Sequence, residues 1–496
     1  MPASPTLAGR AALAVLLLVG FYALAFALVG ALLYLPYAEL RYLDRVHGRV
    51  LLFCGVGVFL VLRAIAPRRD RFIPPGPALD AAEHPELFAM LREVAAATGQ
   101  AMPAEVYLVP DMNAFVAQRG GVMGIGSRRV MGLGLPLMQT LTVAQLRAVI
   151  AHEFGHYHGG DTALGPWIYK TRAALGRTLH ELSGHSTMLR KPFEWYGTAF
   201  LRITHAISRR QEYAADALAA RVVGRVPLVE GLRTVYGASD AFGGYWRTEL
   251  GPALARGYQP PIADGFRRYL AAPTMAESVR ATTEQAMAQE SADPYDTHPT
   301  LAERIAALGE QPEERATADD PAAVTLLRDL PAMERALLTE VMPADALHGL
   351  QAVAWEEVPE CVWAPTWREQ AQEHAAALAG VTPVDIIPFG DDGRPLVVRL
   401  GLASAPEEVT QDHLRQAAHI LGAALATALH ARGWTLHALP GETIFLERDG
   451  HTVAPFELLY DLWSGDLPGD DWRARCEAAG IAAIDLGARE ELAATP

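Results

Sequence analysis

The sequence predicts a mainly helical protein with a small β-sheet, fronted by an N-terminal two-helix transmembrane hairpin and followed by a C-terminal α/β domain. Three observations carry that prediction. An uncharged apolar run extends from Ala11 to Leu35 with a second run close behind it, a capped helix begins at Thr142, and strand-like and helical stretches alternate beyond residue 323. With 496 residues the chain has room for two or three domains, each with its own core. A hydrophobic fraction of 51% fits a few spans attached to a globular body. The net charge of −15 argues against a nucleic-acid partner, because phosphate binding needs a basic face. Cys54, Cys361 and Cys476 are too scattered for a disulfide framework or a thiolate metal site, and they point to a reducing compartment.

The first apolar run exceeds the ~20 residues needed to span a bilayer. It is also longer than the ~7–15-residue core of a cleavable signal peptide. The second, Val50 to Ala66, has Arg49 before it and Arg63 near its end, and both long stems can snorkel to the interface. Arg10 precedes the first run and Arg68, Arg69 and Arg71 follow the second, against Arg41, Arg45 and Arg49 in the connecting loop. That modest bias places both ends on the cytoplasmic side. No later stretch is apolar enough to span: Pro192 to Ile207 is interrupted by Glu194, Arg202 and His205. The expected domains are 1–71, a hairpin with spans of about 11–35 and 48–66; 72–311, a central domain; and 323–496, the α/β domain.

Arg71 to Leu79 is a Pro/Gly-rich connector. His84 to Thr98 has helical spacing, and Glu105 to Pro110 and Asn113 to Gln118 read as strands. Gly121 to Leu135 reads as a hairpin around Gly126-Ser127 with a glycine-rich edge strand. Next comes a helix with a capping box, Thr142 and Gln145, an apolar period of Val143, Leu146, Val149 and Ile150, and an end at Gly159-Gly160. A further helix is expected from Phe193 to Val223, and a charged linker from Glu310 to Ala322. Beyond it, Leu396 to Leu400 and Thr443 to Glu447 look like strands and Thr410 to Ala431 like a helix.

The capped helix carries His152-Glu153-Phe154-Gly155-His156. Residues i and i+4 share a helix face, so both imidazoles can reach one zinc ion, with Glu153 beside them to take a proton from a metal-bound water. With 16 histidines in the chain, such a motif arises by chance in roughly 3% of cases. The plain alternative, two solvated histidines on a surface helix, predicts no third ligand. The next long helix supplies one in Ser208-Arg209-Arg210-Gln211-Glu212-Tyr213-Ala214-Ala215-Asp216. Glu212 can complete a His₂Glu site, and Asp216, one turn on, can accept from the distal nitrogen of a ligating histidine. His158 sits on a different face and is not expected to be a ligand.

The pairing of H-E-F-G-H with S-R-R-Q-E-Y-A-A-D resembles the HtpX-like and prenyl-protein (CAAX) protease family of membrane zinc peptidases, metallopeptidase family forty-eight. Asn113-Ala114-Phe115, Asp161, and Thr297-His298-Pro299-Thr300 with Arg304 fit it too. The likeness covers roughly residues 79 to 308. It implies a gluzincin-type fold whose edge strand pairs with an extended peptide, and it makes Asn113, His298 and Arg304 candidates for substrate or oxyanion contacts. His298 and Arg304 could equally pin the loop at a helix start. HtpX-like members carry two more spans between the paired motifs. Here that interval holds Lys170, Arg172, Arg177, Glu181, Arg190 and Lys191, so it is expected to be soluble, which argues against prenyl-peptide processing.

The resulting expectation is a membrane-anchored zinc metalloendopeptidase with one zinc per chain, two spans in a bacterial inner membrane and a cytoplasmic peptidase domain. Its expected partners are protein or peptide substrates and the lipid bilayer, and the C-terminal domain is a candidate for recruiting a partner. The alternatives are a processing enzyme with one narrow substrate and a non-proteolytic adaptor with a structural metal.

Overall fold

The computed structural model describes residues 7–66, 72–119, 127–157, 175–179, 187–289, 299–309, 320–389, 393–464 and 466–488. Several expectations fall outside the described residues: Arg68, Arg69 and Arg71, Gly126, His158, the helix end at Gly159-Gly160, Asp161, Lys170, Arg172, Glu181, Thr297, His298 and most of the Glu310–Ala322 linker. The chain divides into two compact units, residues 1–239 with 281–340, and residues 240–280 with 341–496.

In chain order the first unit contains α1 (Leu7–Leu43), α2 (Gly48–Ile65), β1 (Ala78–Leu79), α3 (Pro85–Thr98), β2 (Glu105–Val109), β3 (Ala114–Arg119), β4 (Arg128–Gly134), α4 (Leu135–Thr140), α5 (Val143–Gly155), α6 (Thr187–Val223) and α7 (Arg225–Ala238). Both α1 and α2 are long and apolar enough to cross a membrane, with mean hydropathies of 2.6 in the most apolar 18-residue stretch of Val15–Leu43 and 2.0 over Gly48–Ile65. Their facing stripes interlock through Phe21, Ala25, Val29 and Leu32 against Cys54, Val61 and Ile65. The opposite faces expose Leu16, Phe26, Leu33, Leu52 and Phe59, a larger apolar patch than a water-facing surface carries.

One feature of this hairpin was not legible in the sequence. The first half of α6 lies against it, burying Leu189, Phe193 and Phe200 in the same cluster. The Tyr196 hydroxyl donates to the Leu17 carbonyl. The charges that made this stretch look soluble lie off the contact, with Lys191 exposed and Arg190 paired to Glu194 at 2.7 Å. No helix beyond α1 and α2 among the described residues is apolar enough to span.

The sheet has the order β1-β2-β4-β3, with β2 and β4 parallel and β3 antiparallel to β4. The glycine-rich strand β4 is therefore interior, not the expected edge; the edge is β3. The glycine has another use, since a Cβ on Gly132 would run into the Phe115 ring lying across it. Val130, Met131 and Leu133 bury the rest of β4.

In the second unit the helix Gln411–Ala431, capped by Thr410, is the core element, with Ile420, Leu421, Ala424, Leu425 and Ala428 all buried. Trp367, Leu396, Val397, Leu446 and Trp472 pack into the same core. A three-stranded antiparallel sheet joins Thr435–His437, Phe445–Arg448 and His451–Val453. The expected strand Leu396 to Leu400 is instead part of a helix, Arg394–Arg399, begun by Pro395 in its first turn. A short parallel pair, Tyr258–Gln259 with Gln351–Ala352, and an aromatic group of Tyr245, Phe266, Tyr269 and Trp355 tie residues 240–280 to the rest of this unit.

Candidate metal centre and active site

The motif helix α5 is anchored at its start more firmly than its sequence required. Gln145 N–H donates to Thr142 Oγ1 at 3.3 Å and Thr142 N–H to Gln145 Oε1 at 3.1 Å, closing the capping box. The Asp320 carboxylate accepts the Ala144 N–H at 3.0 Å, a negative charge where the helix dipole favours one. Val143 N–H donates to the Pro321 carbonyl at 2.9 Å, so the far end of the expected linker returns to this helix. Leu146, Ile150 and Phe154 are fully buried and set its rotation. The helix ends at Gly155 rather than at Gly159-Gly160, with His156 as its cap. The His156 N–H still bonds the His152 carbonyl, so the i, i+4 relation survives and the two rings lie 4.8 Å apart.

The candidate third ligand arrives because α5 and α6 approach closely at Gly155. A Cβ there would lie 2.7 Å from Ala215 Cα and 2.9 Å from its Cβ, so the glycine inside the motif sets the spacing of the two helices. Across that contact, Glu212 Oε2 lies 3.4 Å from His152 Nε2 and Glu212 Oε1 lies 3.7 Å from His156 Nε2. Atoms bound tetrahedrally at ~2.0–2.1 Å lie about 3.3 Å from one another, so this donor set fits a zinc ion. Ligand atoms of His152, Glu153 and His156 fall within 4.8 Å of one another.

Behind the donors lies a buried charge relay. His152 Nδ1 is 2.9 Å from Asp216 Oδ1, and Arg304 donates to Asp216 through Nε at 2.9 Å and through its terminal nitrogen at 2.6 Å. Arg304 belongs to the helix Leu301–Ala307, whose start is fixed by a Thr300–Glu303 capping box. Glu303 is held in turn by Arg209 of α6 at 2.5 Å. The Arg304 guanidinium thus pairs with Asp216, and its terminal nitrogen also lies 3.4 Å and 3.5 Å from the His152 ring nitrogens and 3.8 Å from Glu212.

The electrostatics follow from this packing. Burial works against a charged His152, but hydrogen bonds to Asp216 and Glu212 outweigh it and push the imidazole up to about 9. Burial and the nearby Glu212 charge push the Glu153 carboxyl up to about 7, opposed by His152, Arg304 and the Val116 amide. Burial would raise Asp216, yet Arg304 and His152 hold it below the ordinary carboxylate range. A dication among these donors would pull the carboxylates and imidazoles towards their deprotonated forms.

The structure therefore brings together His152, Glu153, His156, Glu212, Asp216 and Arg304. Asn113 is exposed just before β3, where its carbonyl accepts the Gly134 N–H at 2.8 Å.

Residues 81–311 match the family model described as Peptidase family M48. Over that span the chain is similar to peptidase family M48. Among the curated relatives of this family, "Protease HtpX" of Idiomarina loihiensis is 24% identical over 217 residues, covering 40% of this chain and 71% of the relative. "Protease HtpX" of Yersinia pestis is 26% identical over 185 residues, covering 31% of this chain and 60% of the relative, and that of Yersinia pseudotuberculosis matches to the same extent. The chain thus spans less than two thirds of the Yersinia relatives' length. No solved structure matches this chain.

Proposed function

We propose that this protein is a membrane-anchored zinc metalloendopeptidase of gluzincin type, with His152, His156 and Glu212 holding the metal and Glu153 as general base. One observation carries the reading: the Glu212 carboxylate of one helix lies 3.4 Å and 3.7 Å from an imidazole nitrogen of His152 and His156 on another, with Glu153 beside them. The family match supports the same class.

When bound, zinc supplies a Lewis acid for the scissile carbonyl and makes water a nucleophile at neutral pH. Glu153 takes the proton from the attacking water and passes it to the leaving amine. Asp216 holds the His152 ring through Nδ1, which leaves Nε2 for the metal. Arg304 neutralises Asp216 and fixes its rotamer, so its role runs through Asp216 rather than through an oxyanion. The hairpin of residues 1–71 anchors the unit, and the Lys/Arg bias supports a cytoplasmic site; a reporter fused after Arg71 tests that side.

Glu153→Gln separates an enzyme from an adaptor. The variant keeps the ligands, so it should retain zinc while losing cleavage of casein by ~10²–10⁴-fold or more. A variant that keeps its zinc and cuts at the wild-type rate removes Glu153 as the base. A wild type that cuts nothing across a broad substrate panel, while Glu153→Gln still rescues a deletion strain, favours the adaptor.

A further inference from the structure

We propose that Tyr157 is a positioning residue: through the Val116 carbonyl it clamps the edge strand to the metal helix and so holds the Val116 amide against Glu153. The inference rests on the peptidase reading above.

The phase of the edge strand makes the contact possible. Gly134 N–H donates to the Asn113 carbonyl, and Ala114 pairs with Leu133, so residues 113, 115, 117 and 119 direct their main chain at β4. Ala114, Val116 and Gln118 therefore direct theirs away from the sheet. Val116 is the one facing the motif helix. Its carbonyl accepts the Tyr157 hydroxyl at 2.7 Å, and its amide lies within backbone hydrogen-bond reach of the Glu153 carboxyl. One residue of β3 is thus held from both ends by side chains four positions apart, on either side of His156.

Tyr157 is itself braced on two sides. The Arg129 guanidinium of β4 lies over its ring, 4.4 Å from the centroid. Gln100, just past α3, donates to the Tyr157 carbonyl at 3.3 Å, and Arg129 donates to Gln100 Oε1 at 3.4 Å and to the Ala101 carbonyl at 3.2 Å. The phenol has little freedom, so it acts as a rigid strut rather than a loose donor. A general base must stay within hydrogen-bond reach of the proton it takes, and a wandering carboxylate loses rate without losing substrate affinity.

Tyr157→Phe is the test, because it removes only the hydroxyl and leaves the ring under Arg129. Steady-state kinetics, zinc content and amide hydrogen exchange are measured on the full-length, detergent-solubilised protein. One hydrogen bond of this kind is worth about three- to ten-fold in rate. The expected result is that loss in kcat with KM within about two-fold, unchanged zinc per chain, and faster exchange over residues 114–119. Unchanged kcat with unchanged exchange overturns the proposal, as does a rise in KM alone, which would assign the strut to substrate binding. Loss of zinc also overturns it, since the role would then be metal retention. If wild type cuts nothing, the peptidase reading falls, and exchange over β3 alone decides whether the clamp exists.

Discussion

The two units differ in what they bury. Among the described residues, the buried acidic, arginine and histidine side chains all lie in the first unit: His84, His152, Glu212, Asp216, Arg304 and Glu334. The second unit is built on the alanine- and leucine-rich helix Gln411–Ala431, in which the buried Thr427 hydroxyl donates to the Ala423 carbonyl at 2.7 Å. Burying charge costs stability unless the charges are paired and hydrogen-bonded, whereas apolar packing carries no such demand. Four of these six, His152, Glu212, Asp216 and Arg304, sit at one place, on two crossing helices and a third that braces them. That concentration is what the proposed metal centre requires, and among the described residues the second unit has no counterpart to it.

The contrast breaks most sharply at Arg304. Arg304→Ala leaves Asp216 buried without its cation, which should cost roughly 3–5 kcal/mol and weaken zinc binding together with stability. Chemical denaturation and metal analysis of one preparation test this, and a variant with full stability and full zinc removes the relay. In the second unit, Leu425→Ala should open a cavity costing about 2–5 kcal/mol while zinc per chain stays the same. Zinc loss in that variant would mean that the two units are not energetically separate.

The smallest effect sharpens the comparison by pH. Burial pushes the half-buried Glu249 carboxyl of the second unit up to about 7, although the Gly441 N–H and Thr248 oppose it. An ordinary glutamate titrates near 4.3, so between about pH 4.3 and 7 the folded chain keeps a proton that the unfolded chain has released. Stability therefore falls as pH rises through that window. Glu249→Gln should stabilise the second unit at pH 8 by on the order of 1 kcal/mol after solvent screening, and change little at pH 4. Equal effects at both pH values would show that the carboxyl is not held up by burial.

How legible these regions were follows the same division. The motif helix could be read almost to its ends, because a capping box, an apolar period and the i, i+4 histidines are all local signals. Glu212 and Asp216 could be read for the same reason, one turn apart on one helix. What escaped was non-local. Leu396 to Leu400 is a five-residue apolar run, too short for periodicity to separate strand from helix. The glycines of β4 gave no sign that Gly132 makes room for Phe115 rather than marking an edge. Neither the return of Asp320 to the start of α5 nor the packing of α6 on the hairpin leaves a local pattern. Tyr157 was passed over because its partner, Val116, lies 41 residues away.

Metal analysis of wild type beside Glu212→Ala tests the central claim most directly, since the third ligand distinguishes a metal centre from two neighbouring histidines. Wild type should carry close to one zinc per chain, and Glu212→Ala should lose it during purification while His152, His156 and Glu153 remain. Full zinc occupancy in Glu212→Ala, or a wild type that holds none after zinc loading, would contradict the account.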